Sequence, residues 1–110
     1  MPVIKLMPDY ECDPLWLVGE NSGNIDVDMV PISALLQAQL IAWAKTYDAI
    51  LNWDDPLSSG FASPADELAF EQEGIRLYEA LQAELGTDYE VLYFSQKQSR
   101  LVAEDEISLL

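Results

Sequence analysis

The segment between Ser63 and Gly86 constrains the fold most, because signals for a helix stand at both of its ends. Ser63 and Pro64 match the preferred N-cap residue and first helical residue. The acids Asp66 and Glu67 follow at the positive end of the helix dipole. Gly86 is suited to a left-handed C-cap. The sequence therefore predicts a long helix that ends at the residue before Gly86.

One glycine lies on the apolar face of this predicted helix. The face repeats at helical spacing and consists of Phe70, Gly74, Leu77, Leu81 and Leu85. A glycine inside a helix costs about 1 kcal/mol relative to alanine. Either Gly74 allows the close approach of a large side chain such as Trp43, or the helix simply tolerates it. The first alternative predicts tight packing between two helices.

An apolar stripe earlier in the chain predicts a second helix. This helix begins at Ser33, whose hydroxyl can cap the first turn, and runs to about Leu51. Its stripe has spacings of three and four residues and consists of Leu36, Leu40, Trp43, Tyr47 and Ile50. Leu35, Ile41 and Leu51 widen the stripe. We therefore expect this helix to be sandwiched between a sheet and another helix, at the centre of the core.

Short β-strand patterns stand before and after the helices, at residues 3–7, 15–18, 89–94 and 99–103. The turn residues 20–24 precede an alternating stretch at 25–28, which predicts a third strand or an extended loop. This order of elements predicts an α+β fold, in which a small antiparallel or mixed sheet packs on one face against two antiparallel helices. The length fits a single domain over residues 1–110.

Net charge is the strongest indication of function. The chain carries a net charge of −15 over 110 residues, with 20 Asp and Glu against 5 Lys and Arg. A small domain usually carries a net charge of about 2 to 8, because like charges repel one another and destabilise the folded state. So large an excess favours a binder of a basic protein surface and disfavours nucleic acid and anionic membranes as partners. The alternative is acidity that serves solubility alone or adaptation to high salt.

The residue types present exclude much catalytic chemistry. The chain has no His and a single cysteine, Cys12, so it cannot form a Ser-His or Cys-His pair or an imidazole metal site. Adjacent acids such as Asp54 and Asp55 could supply the carboxylates of a glycosidase, but the sequence indicates no cleft around them. We therefore predict a protein that is not an enzyme and binds no metal or cofactor. One cysteine, with no signal-peptide pattern and no apolar span of about 20 residues, favours the cytoplasm.

Asn24, Asp26 and Asp28 have the spacing of a calcium-binding loop, but the residues that follow do not fit one. The sixth position is Met29 where the loop needs glycine, and the twelfth is Leu35 where it needs glutamate. An alternating strand with an acidic, solvated face explains the spacing better. Asp26 and Asp28 are therefore candidates for contact with a partner.

The connection between the two predicted helices is the most distinctive loop. Residues 52–61 exceed the usual length of about two to eight residues and place Trp53 beside Asp54 and Asp55. Tryptophan is enriched at interface hot spots, and carboxylates beside it suit Lys or Arg on a partner. Alternatively, Trp53 and Phe61 fold inward and close the helical hairpin.

Short motifs along the chain carry a resemblance to known proteins. They are Leu15-Trp16, Gly23-Asn24-Ile25-Asp26, Ala42-Trp43-Ala44, Tyr47-Asp48, Leu51-Asn52-Trp53-Asp54-Asp55-Pro56, Ser59-Gly60-Phe61 and Glu84-Leu85-Gly86. Together they resemble a group of small acidic bacterial proteins. In architecture and charge the chain is also similar to immunity proteins of bacterial polymorphic toxins, including those of contact-dependent growth inhibition. The resemblance implies a cytoplasmic antidote that binds a cognate toxin domain, often a nuclease, and covers its basic active cleft.

The residues that we expect at the partner interface are Trp53, Asp54, Asp55, Asp48, Asp26 and Asp28. Two other functions are compatible with the sequence. A nucleic-acid mimic would block a DNA- or RNA-binding protein with carboxylates at phosphate-like spacing, and a general adaptor would bind several partners with modest affinity. An immunity protein differs from both because it is selective for one toxin.

Overall fold

The computed structural model describes residues 2–9, 11–19, 22–50, 60–61, 63–95, 98 and 100–102. Its strands are β1 (Val3–Leu6), β2 (Leu15–Val18), β3 (Gly23–Ile25), β4 (Glu90–Ser95) and β5 (Arg100–Val102). Its helices are α1 (Ala34–Asp48) and α2 (Pro64–Leu85), and short 3₁₀ turns lie at Val27–Met29 and Gly86–Asp88.

The strands form one mixed sheet with the order β3-β2-β1-β4-β5. The central strand β1 is antiparallel to β2 and parallel to β4, and the outer pairs β2–β3 and β4–β5 are antiparallel. The sheet packs against the two helices, whose side chains form the core together with its inner face. The predicted α+β fold is therefore confirmed, and of the two sheet types left open the mixed one forms.

The ends of α2 are those that the sequence predicts. The Ser63 hydroxyl accepts a hydrogen bond from the Asp66 N–H at 3.2 Å, and Pro64 is the first helical residue. Gly86 ends the helix with a positive φ of 63°, as expected, but its ψ of −138° differs from the left-handed helical conformation. The chain then passes through the 86–88 turn into β4.

Helix α1 begins as predicted but ends earlier. The Ser33 hydroxyl accepts from the Leu36 N–H at 3.1 Å. At the other end, the Ile50 N–H donates to the Tyr47 carbonyl, three residues back, so the last turn tightens and the helix stops at Asp48. The predicted end, Leu51, lies outside the described residues.

The two helices are antiparallel, and their contact centres on Gly74. A Cβ at Gly74 would lie 2.6 Å from the Tyr93 hydroxyl oxygen and 2.7 Å from Trp43 Cζ2, so no larger residue fits without a shift. The Trp43 indole N–H donates to the Phe70 carbonyl at 3.0 Å, and the two rings stack with their centroids 4.5 Å apart. The predicted close approach of Trp43 to Gly74 is confirmed.

This contact makes α2, and not α1, the central helix. Helix α2 packs against both α1 and β4, and at Gly74 it contacts Trp43 of α1 and Tyr93 of β4, whereas α1 packs mainly against α2 and the 27–29 turn. Our prediction that α1 would be the sandwiched helix is therefore wrong, because the glycine lets α2 approach both neighbours. Leu35, which we expected to widen the buried stripe of α1, is 69% exposed.

Residues 25–28 also differ from the prediction. The strand β3 ends at Ile25, and the 3₁₀ turn at Val27–Met29 replaces the predicted alternation. The cause is a contact from elsewhere in the chain, since the Asp13 carboxylate accepts a hydrogen bond from the Val27 N–H at 3.0 Å. Val27 is buried in the core, whereas Asp26 and Asp28 on either side of it are exposed.

Candidate functional site

The connection between β1 and β2 gathers acidic residues from three parts of the chain. Asp48, the last residue of α1, accepts a hydrogen bond from the Glu11 N–H at 2.7 Å. This bond holds Glu11 at a φ of 60°, a conformation that is uncommon for residues other than glycine. The Asp13 carboxylate accepts a hydrogen bond from the Val27 N–H, and this bond places Asp26 and Asp28, the neighbours of Val27, beside the β1–β2 connection.

We call this surface the acidic end; its members are Asp9, Glu11, Asp13, Asp26, Asp28 and Asp48. Four of them lie close enough to Cys12 to act on its thiol. The pKa of the Cys12 thiol is raised by burial and by the negative charges of Asp9, Asp48, Asp13 and Glu11. A raised pKa keeps the thiol protonated and weakly reactive at neutral pH.

Three of the sequence-predicted site residues therefore belong to one surface. Asp26, Asp28 and Asp48 lie at the acidic end, although they are distant in sequence. The other three, Trp53, Asp54 and Asp55, lie outside the described residues. The residues that flank them are close together, because the Gly60 N–H donates to the Ile50 carbonyl at 3.2 Å.

Sequence reasoning missed Asp9, Glu11 and Asp13 as part of this surface. A signal was present, since acids alternate at positions 9, 11 and 13. Their connection with Asp48 depends on a hydrogen bond between residues 37 positions apart, which no local pattern reveals.

The acidic residues do not form a metal centre in the described part of the chain. No group of three or more His, Cys, Asp or Glu side chains is placed there to hold a metal ion. Asn24, which the calcium-loop spacing would make a ligand, instead donates through its amide to the carbonyls of Asp13 and Leu15, at 2.6 and 3.0 Å. These bonds position β3 against β2.

Acids on α2 have structural roles. Glu71 is 3% exposed and accepts a hydrogen bond from the Ser95 hydroxyl at 2.7 Å. Burial and the nearby Glu71 raise the pKa of the Tyr93 hydroxyl, which is also hydrogen-bonded to Glu71. Glu73 pairs with Arg76, whose hydrogen bond lowers the pKa of the Glu73 carboxyl.

A groove of about 590 Å³ lies between α1 and α2. The rings of Trp43, Phe61 and Phe70 line it, and Phe61 lies 5.2 Å from Phe70 between ring centroids. Phe61 is half-buried there, so for this residue the structure supports the inward orientation. No helix among the described residues is long and apolar enough to cross a membrane.

Comparison with known protein families identifies the chain. Residues 2–96 match the family model described as Serratia CdiI immunity protein-like. The chain belongs to this family. The match includes the whole acidic end, both helices and four strands of the sheet, and only β5 of the described elements lies beyond it. A comparison with individually curated proteins gives no significant match.

Membership of the immunity family agrees with the resemblance seen in the sequence. A protein that confers immunity to a toxin has that toxin as its partner, so the family implies a cognate toxin for this chain.

Proposed function

We propose that this protein binds one cognate toxin domain with a basic surface and neutralises it by covering its active cleft. The observation that carries the proposal is the acidic end, where acids from α1, the β1–β2 connection and the 27–29 turn meet on one surface. An acidic surface of this size suits the Lys and Arg residues of a basic partner. Membership of the immunity family supplies the toxin as that partner.

A nuclease is the toxin class that best fits the charge. A nuclease must hold a phosphate backbone, so its active cleft carries Lys and Arg. A chain with a net charge of −15 presents the opposite sign to that cleft. Binding there would exclude the nucleic acid without any chemical step by the inhibitor.

The proposed contact residues are Asp26, Asp28 and Asp48 at the acidic end, together with Trp53, Asp54 and Asp55. The acids guide the encounter, because a field of one sign accelerates association with an oppositely charged surface. Trp53 would serve as an apolar anchor within the contact. We propose the cytoplasm as the place of action, because a reducing compartment keeps a lone cysteine such as Cys12 reduced.

The first experiment measures association of the chain with a basic toxin domain, which is to be sought in the neighbouring reading frame. Between low and physiological ionic strength the Debye length shortens from about 30 Å to about 8 Å. We expect the association rate to fall steeply over this range and the dissociation rate to change less, because long-range attraction is screened before docked contacts are. An association rate that does not depend on salt contradicts the electrostatic part of the proposal.

Paired neutralisations locate the contact. The double variant Asp26→Asn and Asp28→Asn removes two exposed acids from the acidic end, and Glu79→Gln with Asp88→Asn removes two exposed acids elsewhere. Both change the net charge equally. We expect the first to lower the association rate by about tenfold and the second by no more than about twofold, since steering depends on where the charge lies.

Growth of toxin-expressing cells provides the functional readout. The unmodified chain is expected to restore growth against its own toxin and not against an unrelated one. Equal loss of binding in the two double variants would leave net charge as the cause and remove the acidic end from the contact. Protection against unrelated nucleic-acid-binding proteins would instead favour a nucleic-acid mimic.

A further inference from the structure

The face of the sheet opposite the helices carries an apolar patch. Cross-strand partners share a face, so the register places on this outer face the charged residues Lys5 and Glu90 together with the apolar residues Val3, Trp16, Val18, Leu92, Phe94 and Leu101. Burial alternates along β1 and β4, and their fully buried residues all point to the other face, where α1 and α2 complete the core. Neither helix covers the outer patch.

The patch spans four neighbouring strands from β2 to β5. At a strand spacing of about 4.8 Å, it is about 14 Å wide. Val18 and Leu101, which are 43% and 47% exposed, lie on its two outermost strands. Lys5 lies within the patch, as the cross-strand partner of both Trp16 and Leu92. Apolar residues that cluster on one face are typical of a protein-binding site, whereas single exposed apolar residues are ordinary.

Trp16 joins this patch to the acidic end. Its indole N–H donates to the Met7 carbonyl at 3.0 Å, so the ring is held beside the residues that lead to Asp9. The Lys5 ammonium lies 6.0 Å from the centre of the Trp16 ring, a distance at which a cation and an aromatic ring attract. A half-buried, positioned tryptophan is the type of residue that most often dominates an interface.

We propose that the toxin docks on this outer sheet face, with Trp16 as an anchor on the sheet and the acidic end as the charged border. The proposal rests on the proposed function and names its contact surface. The occupant is a basic protein surface with an apolar centre and a margin of Lys and Arg, because interfaces combine an apolar core with a polar rim.

Charge distinguishes this occupant from a second copy of the chain. Asn24, the cross-strand partner of Trp16, lies two residues before Asp26, and Glu90 is the partner of Val3. The patch therefore has acids at its margin. Two copies, each with a net charge of −15, would bring like charges together, whereas a basic partner brings the opposite sign.

The test compares matched pairs of exposed apolar residues. Val18→Gln with Leu101→Gln changes the outer sheet face, and Leu35→Gln with Leu68→Gln changes the helices at residues that are 69% and 42% exposed. Neither pair alters the charge. Affinity for the toxin domain of the neighbouring reading frame is measured by calorimetry, and urea unfolding checks that each variant is folded.

We expect the sheet pair to weaken binding at least about tenfold and the helix pair less than about threefold. The Trp16→Phe variant should also bind the toxin domain more weakly than the unmodified chain. When the complex forms, the backbone amides of β2 and β4 should become protected from hydrogen exchange. The Trp16→Phe variant keeps an aromatic ring, so it separates loss of contact from loss of folding.

The outcomes separate this inference from the proposed function. If the unmodified chain binds the toxin but the sheet pair has no effect, the docking surface is wrong and the function stands. If the unmodified chain neither binds the toxin nor restores growth, the function itself fails. A dimer of the free chain that the sheet pair disrupts, detected by sedimentation, would assign the patch to self-association and overturn the inference.

Discussion

Tyr93 and Phe94 are neighbours on β4, yet they face opposite sides of the sheet. Tyr93 is 1% exposed, lies against Gly74 of α2 and is hydrogen-bonded to the buried Glu71. Phe94 is half-buried on the outer face, opposite Leu101 of β5. The inner face is filled by α1 and α2, which hold the fold together, whereas neither of these helices covers the apolar side chains of the outer face. The inner face therefore stabilises the fold, and the outer face is the one that we propose for binding.

The largest expected effect is a loss of stability, which is compared between variants of Tyr93 and Phe94. Tyr93→Ala removes a fully packed ring and leaves Glu71 without one of its partners, so we expect a loss of about 4 kcal/mol in the free energy of unfolding. Phe94→Ala removes a ring that is only half-buried and should cost about half as much or less. Urea unfolding measures both values. Equal losses would show that the outer face contributes to the core as much as the inner face does.

The next effect tests how tightly the inner layer is packed. Gly74→Leu places a side chain where Tyr93 and Trp43 already lie, and we expect it to cost about 1 to 3 kcal/mol despite its better helix propensity. Ala83→Leu at an exposed position of α2 is the control and should change stability by less than about 0.5 kcal/mol. A Gly74→Leu variant as stable as the parent protein would contradict the close packing.

A smaller effect depends on pH. Because burial and Glu71 raise the pKa of Tyr93, this hydroxyl stays neutral in the folded state at a pH where it ionises in the unfolded state. Its contribution to stability is therefore complete below about pH 10 and falls above that pH by up to about 1.4 kcal/mol per pH unit. The free energy of unfolding of the Tyr93→Phe variant should fall less steeply over the same pH range. Parallel pH profiles for the two proteins would assign the alkaline loss to other groups.

The smallest expected effect concerns the stability of a double variant on the outer face of the sheet. Val18→Gln with Leu101→Gln should change the free energy of unfolding by less than about 0.5 kcal/mol per residue, because both side chains are about half exposed in the free protein. Thermal unfolding measures this change. A large loss of stability would mean that these residues serve the fold, and the binding data for the pair could not then be assigned to contact with a partner.

Local signals in the sequence were sufficient for most elements. The caps at Ser33 and Ser63 begin both helices where predicted, because a hydroxyl that binds free N–H groups acts within one turn. The strand at 15–18 is also as predicted. The predicted third strand also forms, but at Gly23–Ile25, and a 3₁₀ turn takes the place of the strand at Val27, whose N–H donates to Asp13 from another part of the chain.

The candidate site could be predicted only in part. The excess of acids indicates a basic partner, and Asp26, Asp28 and Asp48 were named from the sequence. The sequence could not predict that these acids lie close to Asp9 and Glu11. Their proximity depends on where the end of α1 lies relative to the β1–β2 connection. The outer apolar patch was also missed, since alternation along a strand does not say which face the helices cover.

The sequence by itself determined the class of the fold, the ends of α2 and the close approach at Gly74. These properties follow from residue types and from spacings within one turn or one strand, so they need no knowledge of distant contacts. Only the tertiary structure decided that α2 is the central helix, that β1 pairs with β4 in parallel and that acids from three segments share one surface. The reason is physical: each of these features depends on contacts between residues far apart in the chain, and such contacts form only when the whole core packs.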